Sequence, residues 1–229
     1  MKVSLVAVLC FLASTAFNQN QTDFPKLNLE LGAGCEYANL KAFNEDYIAP
    51  VGYGKFLNEL HSGWSANLRT PLKLTPAVDL AMMMNFRQFR MKDQKPFDYS
   101  ANQPYDNQTN QMKLIAFEGG LQTTVYIDQF WRTQQDTRFN VGVFGSASYA
   151  YSKYKSYIFR QGEGYWLSLE GEHIHHFNTS FGMALRYQFK DSFFNSLVLN
   201  TGFNCATAKE KYNVDLNGYF LRLLIGLGR

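Results

Sequence analysis

The chain has 229 residues, of which 46% are hydrophobic and 16% aromatic, yet only 18% are charged, with a formal net charge of +3. An intrinsically disordered chain would be aromatic-poor and highly charged, so disorder is excluded. A bundle of membrane helices is excluded as well, because no run beyond the N-terminus approaches the roughly 18 apolar residues a spanning helix needs. Basic residues form no cluster that would serve as a nucleic-acid footprint. Mean hydropathy is −0.28, so a chain rich in aromatics and poor in charge is nevertheless mildly hydrophilic.

Residues 1–16, MKVSLVAVLCFLASTA, read as a secretory signal. Lys2 supplies the positive start, Val3 to Ala13 the apolar stretch, and Ser14-Thr15-Ala16 the small residues of a cleavage site, which falls between positions 16 and 21. Leu9 precedes Cys10 where a lipoprotein site needs a small residue, so Cys10 belongs to the discarded stretch. Removing Lys2 from the 22 basic residues leaves 21 against 19 acids. Cys35 and Cys205 remain; two cysteines far apart are not a disulfide framework, and a bridge between them is left open.

From residue 24 to residue 229 the sequence reads as one domain dominated by period-two alternation. In Lys26–Tyr37, Leu27, Leu29, Leu31, Ala33, Cys35 and Tyr37 oppose Asn28, Glu30, Gly32, Gly34 and Glu36, a strand with one oily and one polar or small face. His61–Leu72 repeats this with Trp64, Ala66 and Leu68 against Ser65, Asn67 and Arg69, and Ala77–Arg90 with Val78, Leu80, Met82, Met84 and Phe86 against Asp79, Met83, Asn85 and Arg87. Ile115, Phe117, Leu121 and Val125 oppose Glu118, Gly120, Gln122 and Thr124. Further strands are read at Arg138–Ser152, Tyr165–Glu172, Phe177–Phe189, Ser196–Asn204 and Gly218–Gly228.

Between them the connections differ in kind. Leu72–Pro76 is tight, whereas Leu40–Leu60 and Arg90–Met112 are long and polar, the layout of an outer-membrane barrel with short turns at one end and long loops at the other. A water-soluble sandwich or lipocalin would carry many Lys and Glu residues on its polar face. Here the polar faces are mostly Gly, Ser, Asn, Thr and Ala, as in a crowded lumen, and the oily faces end in Tyr37, Trp64, Phe86, Tyr149, Tyr151, Tyr187, Phe189 and Tyr219, as interface girdles do.

The expected fold is therefore all-β, a single antiparallel up-and-down transmembrane β-barrel in the cell outer membrane. Nine strands are read, but bacterial single-chain barrels use an even number. Eight is expected, with Ser196–Asn204 absorbed into a neighbour; ten is the alternative, with a strand hidden in residues 40–60 or 154–160.

The opening Leu29-Glu30-Leu31-Gly32-Ala33-Gly34, the inner Phe181-Gly182-Met183-Ala184-Leu185-Arg186-Tyr187 and the closing stretch from Tyr219 to Gly228 carry a resemblance. Over about Lys26 to Arg229 the chain resembles the small outer-membrane β-barrel proteins of Gram-negative bacteria, especially the Bacteroidota-type barrels. Such barrels usually close on a terminal aromatic, where this chain has Arg229.

The phase of the strands turns Glu30, Asp79, Glu118 and Glu170 inward beside Arg69, Arg87, Arg138, Arg186 and Arg222. Unpaired, these groups would be costly, and an eight-stranded interior has room only for side chains. A paired, hydrogen-bonded plug is expected, with a narrow gated pore as the alternative. His173 and His175 share a strand face as weak metal-ligand candidates, but no partner motif frames them. Ser168 or Ser180 near the histidines could be drawn into a barrel enzyme, again without a motif to frame it. Met82-Met83-Met84 cannot form a copper site, since alternation sends Met83 to the opposite face. No cofactor is implied.

The long loops are aromatic: Phe43, Tyr47, Tyr53 and Phe56 in the first, Phe97, Tyr99 and Tyr105 in the second. Aromatic loops on a rigid scaffold suit recognition. The leading functional reading is a non-enzymatic scaffold or accessory subunit of an envelope protein complex, acting through these loops or the barrel wall. Its expected partners are outer-membrane lipid and another envelope protein, not nucleic acid. A small-solute pore is the second reading and a lipid-modifying enzyme the third.

Overall fold

A computed structural model describes residues 28–39, 60–92, 111–131, 138–160, 165–190, 193–207 and 217–227. Among these, eight strands form: β1 (Leu29–Asn39), β2 (Leu60–Thr75), β3 (Val78–Lys92), β4 (Gln111–Tyr126), β5 (Phe139–Arg160), β6 (Tyr165–Gln188), β7 (Phe194–Thr207) and β8 (Gly218–Leu227). Every neighbour is antiparallel, and the sheet closes on itself in strand order through β1 and β8. Closure leaves no free sheet edge, so the backbone groups of the wall are satisfied within it, as a hydrocarbon surrounding demands.

Alternation determines what each side of the wall faces. Met82 and Met84 are each 63% exposed while Met83 between them is 5% exposed. Outside lie Leu31, Trp64, Phe117, Leu121, Val143, Phe181, Met183, Leu221, Leu223 and Ile225. Inside lie Asn67, Asn85, Gln122, Asn178, Asn200 and the buried charges. The distribution is inverted relative to a water-soluble domain, and a continuous apolar exterior of this extent belongs against lipid. Exterior aromatics gather in clusters along the wall. Trp64, Phe86 and Phe117 contact one another at 5.2 and 5.0 Å between ring centroids. At the β6–β7 connection Tyr187 meets Phe189 at 5.0 Å and Phe193 meets Phe194 at 5.5 Å.

The first residues of β1 and the last of β8 lie at the same end as the β2–β3, β4–β5 and β6–β7 connections. Pro76 and Ala77 alone join β2 to β3, with the Ala77 amide donating to Thr75 Oγ1 at 3.2 Å; proline suits such a turn because its φ is preset. Ile127–Phe130 form one 3-10 turn after β4, and the Asp128 carboxylate accepts from the Val141 amide at 3.0 Å, tying that turn to β5. Strands β5 and β6 have 22 and 24 residues, well beyond the roughly 9–11 needed to cross a bilayer, so this hairpin projects past the membrane at the long-loop end.

The strand count of eight agrees with expectation, but its derivation needs correcting. Ser196–Asn204 is not absorbed elsewhere; it is the body of β7. The two stretches Tyr165–Glu172 and Phe177–Phe189 instead run together as β6. A register shift opposite Lys153 and Lys155 takes up the irregularity between them, so pairing continues through the histidines that separate the two apolar runs. Residues 154–160 hold no additional strand but extend β5. Residues 1–27, with the expected signal, lie outside the described residues.

Candidate functional site

The lumen holds two ionic layers. Nearer the short-turn end, Glu30 on β1 accepts from Arg69 Nε of β2 at 2.7 Å and from Arg186 of β6 at 2.5 Å. Arg186 reaches across to Asp79 on β3 with its other terminal nitrogen at 2.5 Å, and Asp79 also accepts from the Tyr126 hydroxyl at 3.0 Å. The guanidinium of Arg186 lies 5.2 Å from the Tyr126 ring centroid. Arg186 therefore bridges two carboxylates through its planar fork, a geometry lysine cannot reproduce.

Nearer the long-loop end, Glu36 on β1 accepts from Arg222 Nε of β8 at 2.8 Å and from Asn204 at 3.2 Å. Glu118 on β4 accepts from Asn85 at 3.3 Å and Asn178 at 3.2 Å. Arg87, fully buried, sits between them, 2.9 Å from Glu118 and 3.5 Å from Glu36. These two contacts are Coulombic without hydrogen-bond alignment. Four buried acids, Glu30, Glu36, Asp79 and Glu118, thus face four buried arginines, Arg69, Arg87, Arg186 and Arg222. The described lumen is charge-balanced.

Beside the charges an aromatic pair packs in the lumen, with the Arg222 guanidinium 4.1 Å from the Phe220 ring centroid. Phe144 of β5 and Phe220 of β8 are not sequence neighbours or adjacent strands; they meet at 6.0 Å because Gly182 and Gly202 lie between them in register. A Cβ on Gly182 would fall 2.1 Å from the Thr201 carbonyl oxygen and 2.6 Å from the Gly202 Cα. Both glycines are required by this close approach. We expect Gly182→Val to cost about 1–3 kcal/mol through overpacking, read as a lowered urea midpoint of the refolded barrel; an unchanged midpoint would show that the wall can spread there.

The expected inward residues divide as follows. Glu30, Arg69, Asp79, Arg87, Glu118, Arg186 and Arg222 are brought together in the two layers. Arg138 is not. It is exposed in the turn before β5, where its carbonyl accepts from the Gln188 amide at 2.6 Å. Asn140 is the first inward residue of the strand, and the position two before it has already left the wall. Glu170 takes the register position opposite Lys155, and its side chain lies outside the described residues. Glu36 completes the second layer and was not assigned to the network, although it shares the phase of Glu30 in β1.

His173 and His175 face outward. Each is paired through Nδ1 with a tyrosine of β5, His175 with Tyr149 at 2.9 Å and His173 with Tyr151, and the rings stack at 5.8 and 5.1 Å. No group of three or more metal-ligating side chains occurs among the described residues. His176 alternates inward and is buried. Ser180 hydrogen-bonds Ser146 across the β5–β6 pair, and the side chain of Ser168 lies outside the described residues. Cys35 and Cys205 are free thiols. The loop residues Phe43, Tyr47, Tyr53, Phe56, Phe97, Tyr99 and Tyr105 also lie outside the described residues.

Among the described residues the exterior carries a concavity. Leu31, Leu68, Met84, Phe86, Phe117 and Gly119 line a groove of about 550 Å³ across β1–β4. Gly119 leaves a gap in the wall between large neighbours, with nothing near the position its Cβ would occupy.

No family model and no curated protein matches the sequence. Among solved structures, the chain is similar to Ail, the attachment invasion locus protein of Yersinia pestis, at 11% identity, covering 90% of this chain and 99% of that one with a TM-score of 0.43. It is also similar to Neisserial surface protein A, at 10% identity, covering 89% of this chain and 97% of that one with a TM-score of 0.40. At this level the likeness says nothing of activity or partner.

Proposed function

We propose that this protein is a non-enzymatic barrel of the Gram-negative outer membrane, serving as a scaffold or accessory subunit that binds another envelope protein. The observation carrying this reading is the charge-balanced lumen, where four arginines and four carboxylates are spent on one another across two layers, beside the packed Phe144–Phe220 pair. Buried groups committed in this way support a plug in preference to a conducting path or a reaction centre. Recognition is then left to the surface, and the groove across β1–β4 supports a wall contact alongside the aromatic loops.

Two measurements test this. Gentle extraction of the tagged protein in mild detergent is expected to bring down a larger assembly; a lone, monodisperse monomer would sink the subunit role. Reconstitution in a planar bilayer is expected to give no discrete conductance steps, and regular single-channel openings would favour the pore instead.

A further inference from the structure

The charges of the wall are segregated. Among the described side chains, the strand acids Glu30, Glu36, Asp79 and Glu118 all point into the lumen. At the long-loop end, the outward charges are cations: Arg90 on β3, Lys113 on β4 and Lys153 on β5, all exposed. Arg90 and Lys113 are direct cross-strand partners. Lys153 pairs with Ile115, two residues along β4 from Lys113, and on its other side with His173. Like charges placed opposite each other on a sheet repel, and no described acid offsets this group. Neighbouring strands lie only about 4.8 Å apart, so the three cations occupy one small patch.

The patch begins where the apolar belt ends. Lys153 lies two residues beyond Tyr151 on the outer face of β5, and Arg90 four beyond Phe86 on that of β3. The adjoining face carries the stacked Tyr149–His175 and Tyr151–His173 pairs. An aromatic rim with cations immediately above it, at the level of the lipid headgroups, is complementary to anionic headgroups and attracts them. We propose that Arg90, Lys113 and Lys153, flanked by the Tyr–His stacks, form a site on the outer wall of β3–β6 for the phosphate-bearing headgroup of a membrane lipid. This rests on the membrane reading given above and adds a defined lipid class to it.

The test uses the full chain, refolded into phosphatidylcholine vesicles doped with phosphatidylglycerol, then extracted in mild detergent and analysed by native mass spectrometry for retained lipid. The wild-type barrel is expected to retain phosphatidylglycerol about tenfold over its bulk fraction. The triple variant R90Q/K113Q/K153Q is expected to lose that enrichment, while K73Q at the short-turn end keeps it. Equal retention of the two lipids by the wild-type barrel overturns the proposal, whatever the variants do. Displacement of the lipid by millimolar inorganic phosphate would also overturn it, assigning the patch to a soluble anion. Failure of the chain to insert into vesicles at all would instead refute the membrane reading, a result read separately from far-ultraviolet β signal and vesicle flotation.

Discussion

Arg186→Leu is expected to destabilise the folded barrel by about 3–5 kcal/mol, the cost of stranding buried partners of a removed charge. Arg186 touches both carboxylates of its layer, at 2.5 Å each. Without it, Glu30 keeps Arg69 at 2.7 Å, but Asp79 keeps only the neutral Tyr126 hydroxyl. Arg186→Lys should recover part of the loss, because an ammonium restores charge but cannot span both acids with a rigid fork. The matched control is Arg138→Leu. Exposed in its turn, this residue should change stability by no more than about 0.5 kcal/mol. Urea unfolding in lipid vesicles reads both; equal midpoints for R186L and R138L would defeat the plug.

The second large effect is expected on the other side of the wall. Leu223 lies mid-strand in β8 and points outward, one residue from the lumenal Arg222. Placing arginine at Leu223 should cost about 2–4 kcal/mol, the range for a cation on the lipid face near the bilayer midplane. The sign is the informative part. On a water-facing wall, trading an exposed leucine for arginine would be neutral or would improve solubility. A refolded L223R barrel as stable as wild type would therefore argue that the exterior does not meet hydrocarbon. A strong loss, set beside an innocuous R138L, would show that burial in lipid and not charge as such is penalised.

Much of the fold was legible because a strand's two faces are written at a period of two, and the two faces here meet different media. The inward phase of Glu30, Asp79, Arg87, Glu118, Arg186 and Arg222 follows from that alone. What alternation cannot supply is where a strand stops. Arg138 keeps the phase but lies beyond the wall, and the break read before Phe177 is continuous strand because β5 pairs across it. Nor does alternation say which acid meets which base. Glu36 finds Arg222 through closure of β1 on β8, a pairing absent from any local window. The patch of Arg90, Lys113 and Lys153 escaped for a similar reason. Each is a lone charge near a strand end, and only the β3–β4 and β4–β5 registers make them neighbours.

The reach of the lumenal ion pairs also bears on the order of events during assembly. Glu30 and Arg186 are 156 residues apart and Glu36 and Arg222 are 186 apart, so neither pair forms within a local hairpin, and the second spans the seam between the first and last strands. Hairpins such as β2–β3 can pair early, because two residues join them. A partly built sheet, however, would leave Glu30 with Arg69 alone and Glu36 with Arg87 alone, and the second partner of each acid arrives only with the later strands. Loop-closure entropy over such separations makes the late step slow. The arginines of β6 and β8 thus act as a latch: they add the second partner of each first-strand acid late, and intermediates lacking them keep part of the charged side in need of water.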